Sequence, residues 1–491
     1  MEFNTVNTEK NMQKKANSLA KSIMINMSYA FTAQGISLIL SLLFILVVSK
    51  KLGVEQFGYW QLFTFYSSYL GFFYLGLNDG LYLRIGGKEY NELNHSVIAT
   101  QSRIFFFLHT VLAALVSIAI FLFVGDPDRR FVLLCTALFL PILNIKGFYG
   151  LVFQAVNRTK IYSLSIILDK IIIVVAVIVM AFLGIKNYIP YVIIYIIAAI
   201  AASIYCFIIG KDIFFARKSS FAEASTEAKK NISVGIKLMF SCIASMLIIG
   251  SSRLVIDSAW GIETFSKVSL ALNITNLFLV FIQQISLVLF PALRRLGDET
   301  KEKFYCIVQD ILNIILPGML LFYVPICFLL NLWLPQYSES LKYLGYMLPL
   351  CIFDGKMQLL GNTYYKVLRM EKQLFYFNVA TLGLNILFAL FFGFVLKSLI
   401  GIVVSTVISV AFRSIISEVY LSKIYKTQKI VGLIQICALS LIFAVGNYLF
   451  SEIISFIVFA SSYSIYLLLN IKTVKNAFFN IGIITKKNTN K

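Results

Sequence analysis

Long apolar runs separated by short polar connections dominate this chain. Ile36-to-Val48, Ile171-to-Leu183 and Leu382-to-Leu396 are examples. Such runs match a hydrocarbon core about 30 Å thick, which an α-helix crosses in about 20 residues. Read this way, the sequence predicts fourteen transmembrane helices: 24–49, 57–84, 97–124, 130–154, 161–184, 188–210, 233–256, 268–293, 306–333, 341–364, 374–396, 399–421, 430–450 and 453–471. Turn and breaker residues mark most joins, among them Gly53, Gly125-Asp126-Pro127, Pro190, Gly297 and Pro335.

The connections alternate in charge. The N-terminal tail, every second loop and the C-terminal tail hold 27 of the 43 Lys and Arg, and the opposite loops hold 6. Basic loops stay on the cytoplasmic side, so both termini are expected there. The remaining 10 fall inside spans. The polar N-terminus carries Lys10, Lys14, Lys15 and Lys21 and leads into an apolar run, Ile23-to-Val48, too long for a cleavable signal. Expected divisions are a tail (1–22), a first six-helix lobe (23–210), a linker (211–232), a second six-helix lobe (233–424), a helix pair (425–471) and a second tail (472–491).

Composition narrows the function. The chain is 59% hydrophobic and 13% charged, with a net charge of +20. Beside apolar spans, these cations are better matched to anionic lipid than to nucleic acid, so no nucleic-acid partner is expected. The seven cysteines form no CxxC motif and sit mostly in apolar runs, and only two histidines are present. No disulfide framework, metal site or cofactor is expected. Short outer loops, with scattered acids such as Asp126, Asp128 and Glu263, leave little room for catalytic carboxylates. A membrane-embedded glycan-assembly enzyme is therefore a minor alternative.

A shift of 208 residues brings Gly53-Val54-Glu55-Gln56-Phe57 onto Gly261-Ile262-Glu263-Thr264-Phe265. Both halves begin on the same side and hold six spans, so the repeat is parallel, an arrangement that places a substrate site between the halves.

Two segments carry a resemblance. Lys51-Leu-Gly-Val-Glu-Gln-Phe-Gly-Tyr-Trp60 and Gly71-Phe-Phe-Tyr-Leu-Gly-Leu-Asn-Asp-Gly-Leu-Tyr-Leu-Arg84 resemble the first two helices of bacterial polysaccharide flippases. These are the O-antigen (Wzx-like) branch of the MOP exporter superfamily. The resemblance implies an all-α, MATE-like V-shaped transporter in the bacterial inner membrane. It would move an undecaprenyl-diphosphate-linked oligosaccharide from the inner to the outer leaflet, serving O-antigen, lipopolysaccharide or capsule synthesis. Membrane lipid, a proton or Na+ gradient, and a polysaccharide polymerase or glycosyltransferases are its implied partners. Many O-antigen flippases have twelve helices, so the extra pair leaves the substrate branch open. A MATE-type multidrug antiporter is the alternative, although Ile23-to-Val48 holds none of the acidic residues that such antiporters usually carry there.

Ionisable residues deep in a span cost about 2.5–3.5 kcal/mol on insertion scales and are candidates for function. Arg413 leads, on a stripe with Ser405, Ser409 and Ser417. Its planar guanidinium suits a diphosphate, or it snorkels to the cytoplasmic surface. Asp354 shares a face with Gln358 and Asn362 and is a candidate for ion coupling. Lys356 points about 160° away from Asp354 at helical periodicity, and reads as a snorkelling lysine or a substrate contact. Lys146 either binds phosphate or snorkels. Asp169 is a second ion-coupling candidate, or with Lys170 takes part in structural interhelical pairing.

Arg84 would gate the cytoplasmic opening, bind lipid phosphate or anchor the topology. Arg253 would face the substrate or pair with Asp257. Three uncharged stripes would line a wet cavity or an interhelical contact. The first is Asn26, Gln34, Ser37 and Ser41; the second Asn273, Asn276, Gln283 and Gln284; the third Ser233, Lys237, Ser241 and Ser245.

Overall fold

A computed structural model describes residues 2–86, 88–294, 297–425 and 430–475, with side chains from residue 34 onward apart from residue 430 and several between 281 and 298. Among these residues every regular element is helical. The chain forms two compact units, Met1–Met239 and Phe240–Lys491.

Eleven helical stretches among the described residues are long and apolar enough to cross a membrane. Fourteen separate helices were expected, and the difference has two physical causes. Two expected pairs run on as single stretches, Glu2–Tyr69 and Phe221–Arg294, each bent at one glycine. The expected tenth span, 341–364, is broken into Ser338–Met347, Leu350–Lys356, a π-helical turn at Met357–Asn362 and Thr363–Val367. Pro349 has no N–H to donate to the preceding turn. The π-turn leaves the Gln358 carbonyl to accept from Ser286 Oγ at 3.1 Å and Thr363 Oγ1 at 3.3 Å.

The two bends are alike. Gly53 has φ 75° and ψ 174°, and Gly261 has φ 79° and ψ −175°. A Cβ disfavours this left-handed region, so both turns need glycine. They are the residues that the 208-residue shift superposes.

In the first unit the Gly71-to-Arg84 motif has a structural explanation. After the 3-10 segment Leu70–Tyr74, Leu75 and Gly76 both adopt positive φ, and a short helix, Leu77–Ile85, begins. It crosses the start of the Phe221–Arg294 stretch at backbone contact. A Cβ on Gly80 would lie 1.8 Å from the Asn231 carbonyl oxygen, and one on Gly235 would lie 2.0 Å from that of Gly76. Small residues allow such close crossings. Ordinary caps start neighbouring helices, with Asn94 accepting from the Val97 N–H at 3.2 Å and Asp126 from the Arg129 N–H at 2.9 Å.

In the second unit, the last helix, Glu452–Leu469, is tied back by two tyrosines. Tyr463 and Tyr466 donate to the carbonyls of Ile314 and Asn313 at 2.8 and 3.0 Å.

The crossing makes a direct prediction. Gly80→Ala forces backbone apart and lowers the unfolding midpoint of the purified protein by several degrees. Gly35→Ala, where a Cβ meets nothing within 4 Å, leaves it unchanged. Thermal unfolding followed by intrinsic fluorescence reads both.

Candidate functional site

The membrane-depth charges collect into one group in each unit. In the second unit the Leu399–Ile424 helix contributes Arg413 and Glu418, and the broken helix beside it contributes Asp354 and Lys356. Arg413 Nη2 bonds Asp354 Oδ1. Its Nη1 donates to Ser245 Oγ at 2.7 Å and to Asn378 Oδ1 at 3.4 Å. Gln358 donates to the other Asp354 oxygen. Lys356 Nζ lies 2.7 Å from Glu418 Oε2, and Gln309 donates to Glu418 Oε1 at 2.6 Å.

All four charged side chains are sheltered: 3% and 10% exposed for Arg413 and Asp354, 3% and 7% for Lys356 and Glu418. The group is neutral overall, and amides and hydroxyls take up several of the remaining donor and acceptor positions. That is the condition under which buried ion pairs persist despite their desolvation cost.

Two expectations change here. Neither Arg413 nor Lys356 snorkels, because each has a carboxylate at contact distance within the protein. Lys356 does point away from Asp354, toward Glu418, which the sequence reading had not singled out. The serine stripe of the Arg413 helix faces protein: Ser405, Ser409 and Ser417 are buried. The stripe of the seventh span divides. Ser233 and Lys237 are exposed, while Ser241 and Ser245 accept from Asn378 and Arg413. For Ser241 and Ser245 the interhelical reading holds.

In the first unit Lys146 Nζ lies 2.7 Å from Asp169 Oδ2, with side chains 11% and 15% exposed. Asp169 therefore pairs between helices, with Lys146 as partner; Lys170, next to it, is partly buried. Arg84 is held by Glu227 at 2.7 Å and Asn231 at 2.5 Å, at the glycine crossing.

Arg253, in the second unit, donates to Ser269 Oγ at 2.8 Å and lies 4.8 Å over the Phe265 ring. It thus clasps the two arms of the Gly261 bend. Asp257 is buried nearby. Gln34 and Asn273 are partly buried and Asn276 is exposed. The side chains of Asn26 and Gln284 lie outside the described ones.

No group of three or more potential metal-ligating His, Cys, Asp or Glu occurs among the described residues. What the arrangement offers chemically is charge: cations and carboxylates at membrane depth, each able to exchange its partner for a proton, an ion or a phosphate oxygen.

Residues 23–297 match the family model described as "Polysaccharide biosynthesis protein". The chain belongs to this polysaccharide biosynthesis family. Among solved structures it resembles the lipid II flippase MurJ in an inward closed conformation, with TM-score 0.67 and 16% identity, over 92% of this chain and 100% of that one. It also resembles an inward-facing multidrug resistance MATE transporter of the MOP superfamily, with TM-score 0.62 and 14% identity, over 81% of this chain and 99% of that one. At these identities the likeness establishes the fold. No curated protein matches the chain in sequence. This family member is thus a multi-pass membrane protein with the fold of MOP-superfamily transporters.

The repeat extends to the site. Leu140-Pro141, then Lys146-Gly147, recur 208 residues later as Leu348-Pro349 and Asp354-Gly355. The pivotal charge of each unit occupies the same repeat position with opposite sign. Aligning the halves beyond the first turn would have found this.

The buried pairs and the exposed ones should respond differently to mutation. Lys356→Met strands Glu418 and should destabilise the protein by about 3–5 kcal/mol. Lys230→Gln, which removes the solvated partner of Glu227, should cost at most about 1 kcal/mol. Denaturant titration of the purified variants compares the two.

Proposed function

We propose that this chain is a flippase for an undecaprenyl-diphosphate-linked oligosaccharide, an O-antigen- or capsule-type repeat unit. It carries the unit from the inner to the outer leaflet of the bacterial cytoplasmic membrane. The observation that carries the reading is the match of residues 23–297 to the polysaccharide biosynthesis family. The fold shared with a lipid II flippase over nearly the whole chain supports it.

The residues fit the task. A diphosphate needs cations to leave water, and Lys146, Arg413 and Lys356 stand at membrane depth with counter-ions that can be exchanged. Arg84 and Arg253 lie nearer helix ends and the bend. Gln34, Asn273, Asn276 and Gln284 would bond the sugar hydroxyls.

Transport proceeds by alternating access, with residues 23–210 and 233–424 as the two six-helix lobes and both termini cytoplasmic. A proton or Na+ gradient drives it through Asp354 or Asp169, since neutralising either carboxylate frees the cation it holds. The final helix pair guides the polyprenyl tail, and the exported unit passes to a polymerase.

Deleting the gene should trap lipid-linked repeat units on the cytoplasmic leaflet, where they stay inaccessible to an externally added periodate or lectin label. Normal glycan export in the deletion strain would overturn the reading and favour a multidrug antiporter.

A further inference from the structure

Beside the Lys356–Glu418 pair the second unit encloses a small cavity, wide enough for about one water molecule. Four segments wall it. Lys356 ends one short helix, and Met357 and Gly361 belong to the π-turn that follows. Ser417 and Glu418 come from the Leu399–Ile424 helix, and Tyr305 comes from the Asp298–Gly318 helix.

The wall carries hydrogen-bonding capacity that the protein does not use. Tyr305 Oη, Lys356 Nζ, Ser417 Oγ and Glu418 Oε2 find no hydrogen-bond partner among the described residues. All four residues are more than nine-tenths buried. Lys356 Nζ and Glu418 Oε2 lie 2.7 Å apart, so their charges are paired. Yet the contact is not aligned as a hydrogen bond, which leaves the ammonium its donors and the carboxylate oxygen its lone pairs. Buried groups in this condition are costly unless a further partner reaches them.

Lipid cannot be that partner. Glu418 lies six residues before the Ile424 end of its helix, and Tyr305 lies seven after the Asp298 start of its own. At 1.5 Å per residue both are about 10 Å inside, measured from ends that the loop charge assigns to the cytoplasm. The backbone keeps the space open at this depth. A π-turn inserts one extra residue into a helix, and Gly361 puts no side chain into the gap. A Cβ there would stand 2.6 Å from Met357 Sδ and 3.2 Å from Ser417 Oγ.

We infer that this cavity is a binding site for one water molecule, which bridges the Lys356 ammonium and the Glu418 carboxylate. The water accepts from Lys356 Nζ, donates to Glu418 Oε2 and completes its bonding on the hydroxyls of Ser417 and Tyr305. Buried waters are held by two to four such partners. An ion of either sign would meet a like charge on the wall, Lys356 or Glu418, so a neutral ligand that both donates and accepts is favoured. The site is independent of what the protein transports.

X-ray radiolytic footprinting of the full-length protein in nanodiscs tests this, because radicals formed from a bound water oxidise the side chains beside it. Met357 and Tyr305 should be oxidised several-fold faster than Met347 and Tyr337, which are similarly buried but do not line the cavity. Ser417→Val replaces the hydroxyl with methyl groups and narrows the space, and should bring Met357 and Tyr305 down to the control rates.

Control-level oxidation of Met357 and Tyr305 in the parent protein, or undiminished oxidation in folded Ser417→Val, overturns the site. So does oxidation that falls as Na+ replaces choline at constant ionic strength, since a cation would then hold the cavity. If Ser417→Val does not fold, Gly361→Ala sets a methyl group against Ser417 Oγ instead. Read at Tyr305, it has the same two outcomes.

Discussion

A charge in hydrocarbon must be compensated, and the polar architecture of this protein follows from that constraint. Water cannot serve the buried groups, so the guanidinium of Arg413 is met by Asp354, Ser245 and Asn378, and the ammonium of Lys356 by Glu418. These partners come from four different helical segments. Satisfying one cation therefore fixes how those segments pack. The π-turn at Met357–Asn362 lies directly after Lys356, where the broken helix supplies two of the four charges. Irregular backbone at this depth is tolerated because protein surrounds it.

Much of the fold was legible in the sequence, because hydropathy and loop charge express this same constraint along the chain. The helical class and most of the spans followed from it, and the 208-residue repeat matched the turns at Gly53 and Gly261. The broken tenth span was less visible. Pro349 signals a break, but the π-turn depends on Ser286 and Thr363, which come together only in three dimensions. The site was legible as a set of candidates and not as pairs. Arg413, Asp354, Lys146 and Asp169 stood out singly as charges in apolar runs. Who meets whom depends on helix packing. Glu418 was missed because it lies near a helix end, where a carboxylate needs no explanation.

The internal repeat links these observations. One leucine–proline step followed by a charge and a glycine occurs in both units, and the charge is positive at Lys146 and negative at Asp354. The position is shared by the two units, and the sign of the charge differs. The result is a neutral group in one unit and a net-positive group in the other.

The measurement that bears most directly on this account is a double-mutant cycle on Asp354 and Arg413, read as thermal stability of the purified protein. Asp354→Leu and Arg413→Met each leave a buried charge stranded, and each should destabilise by about 3–5 kcal/mol. The double variant leaves none, and should recover most of that loss. Single variants as stable as the parent, or a double variant that merely adds the two losses, would contradict the claim that charge compensation organises this membrane interior.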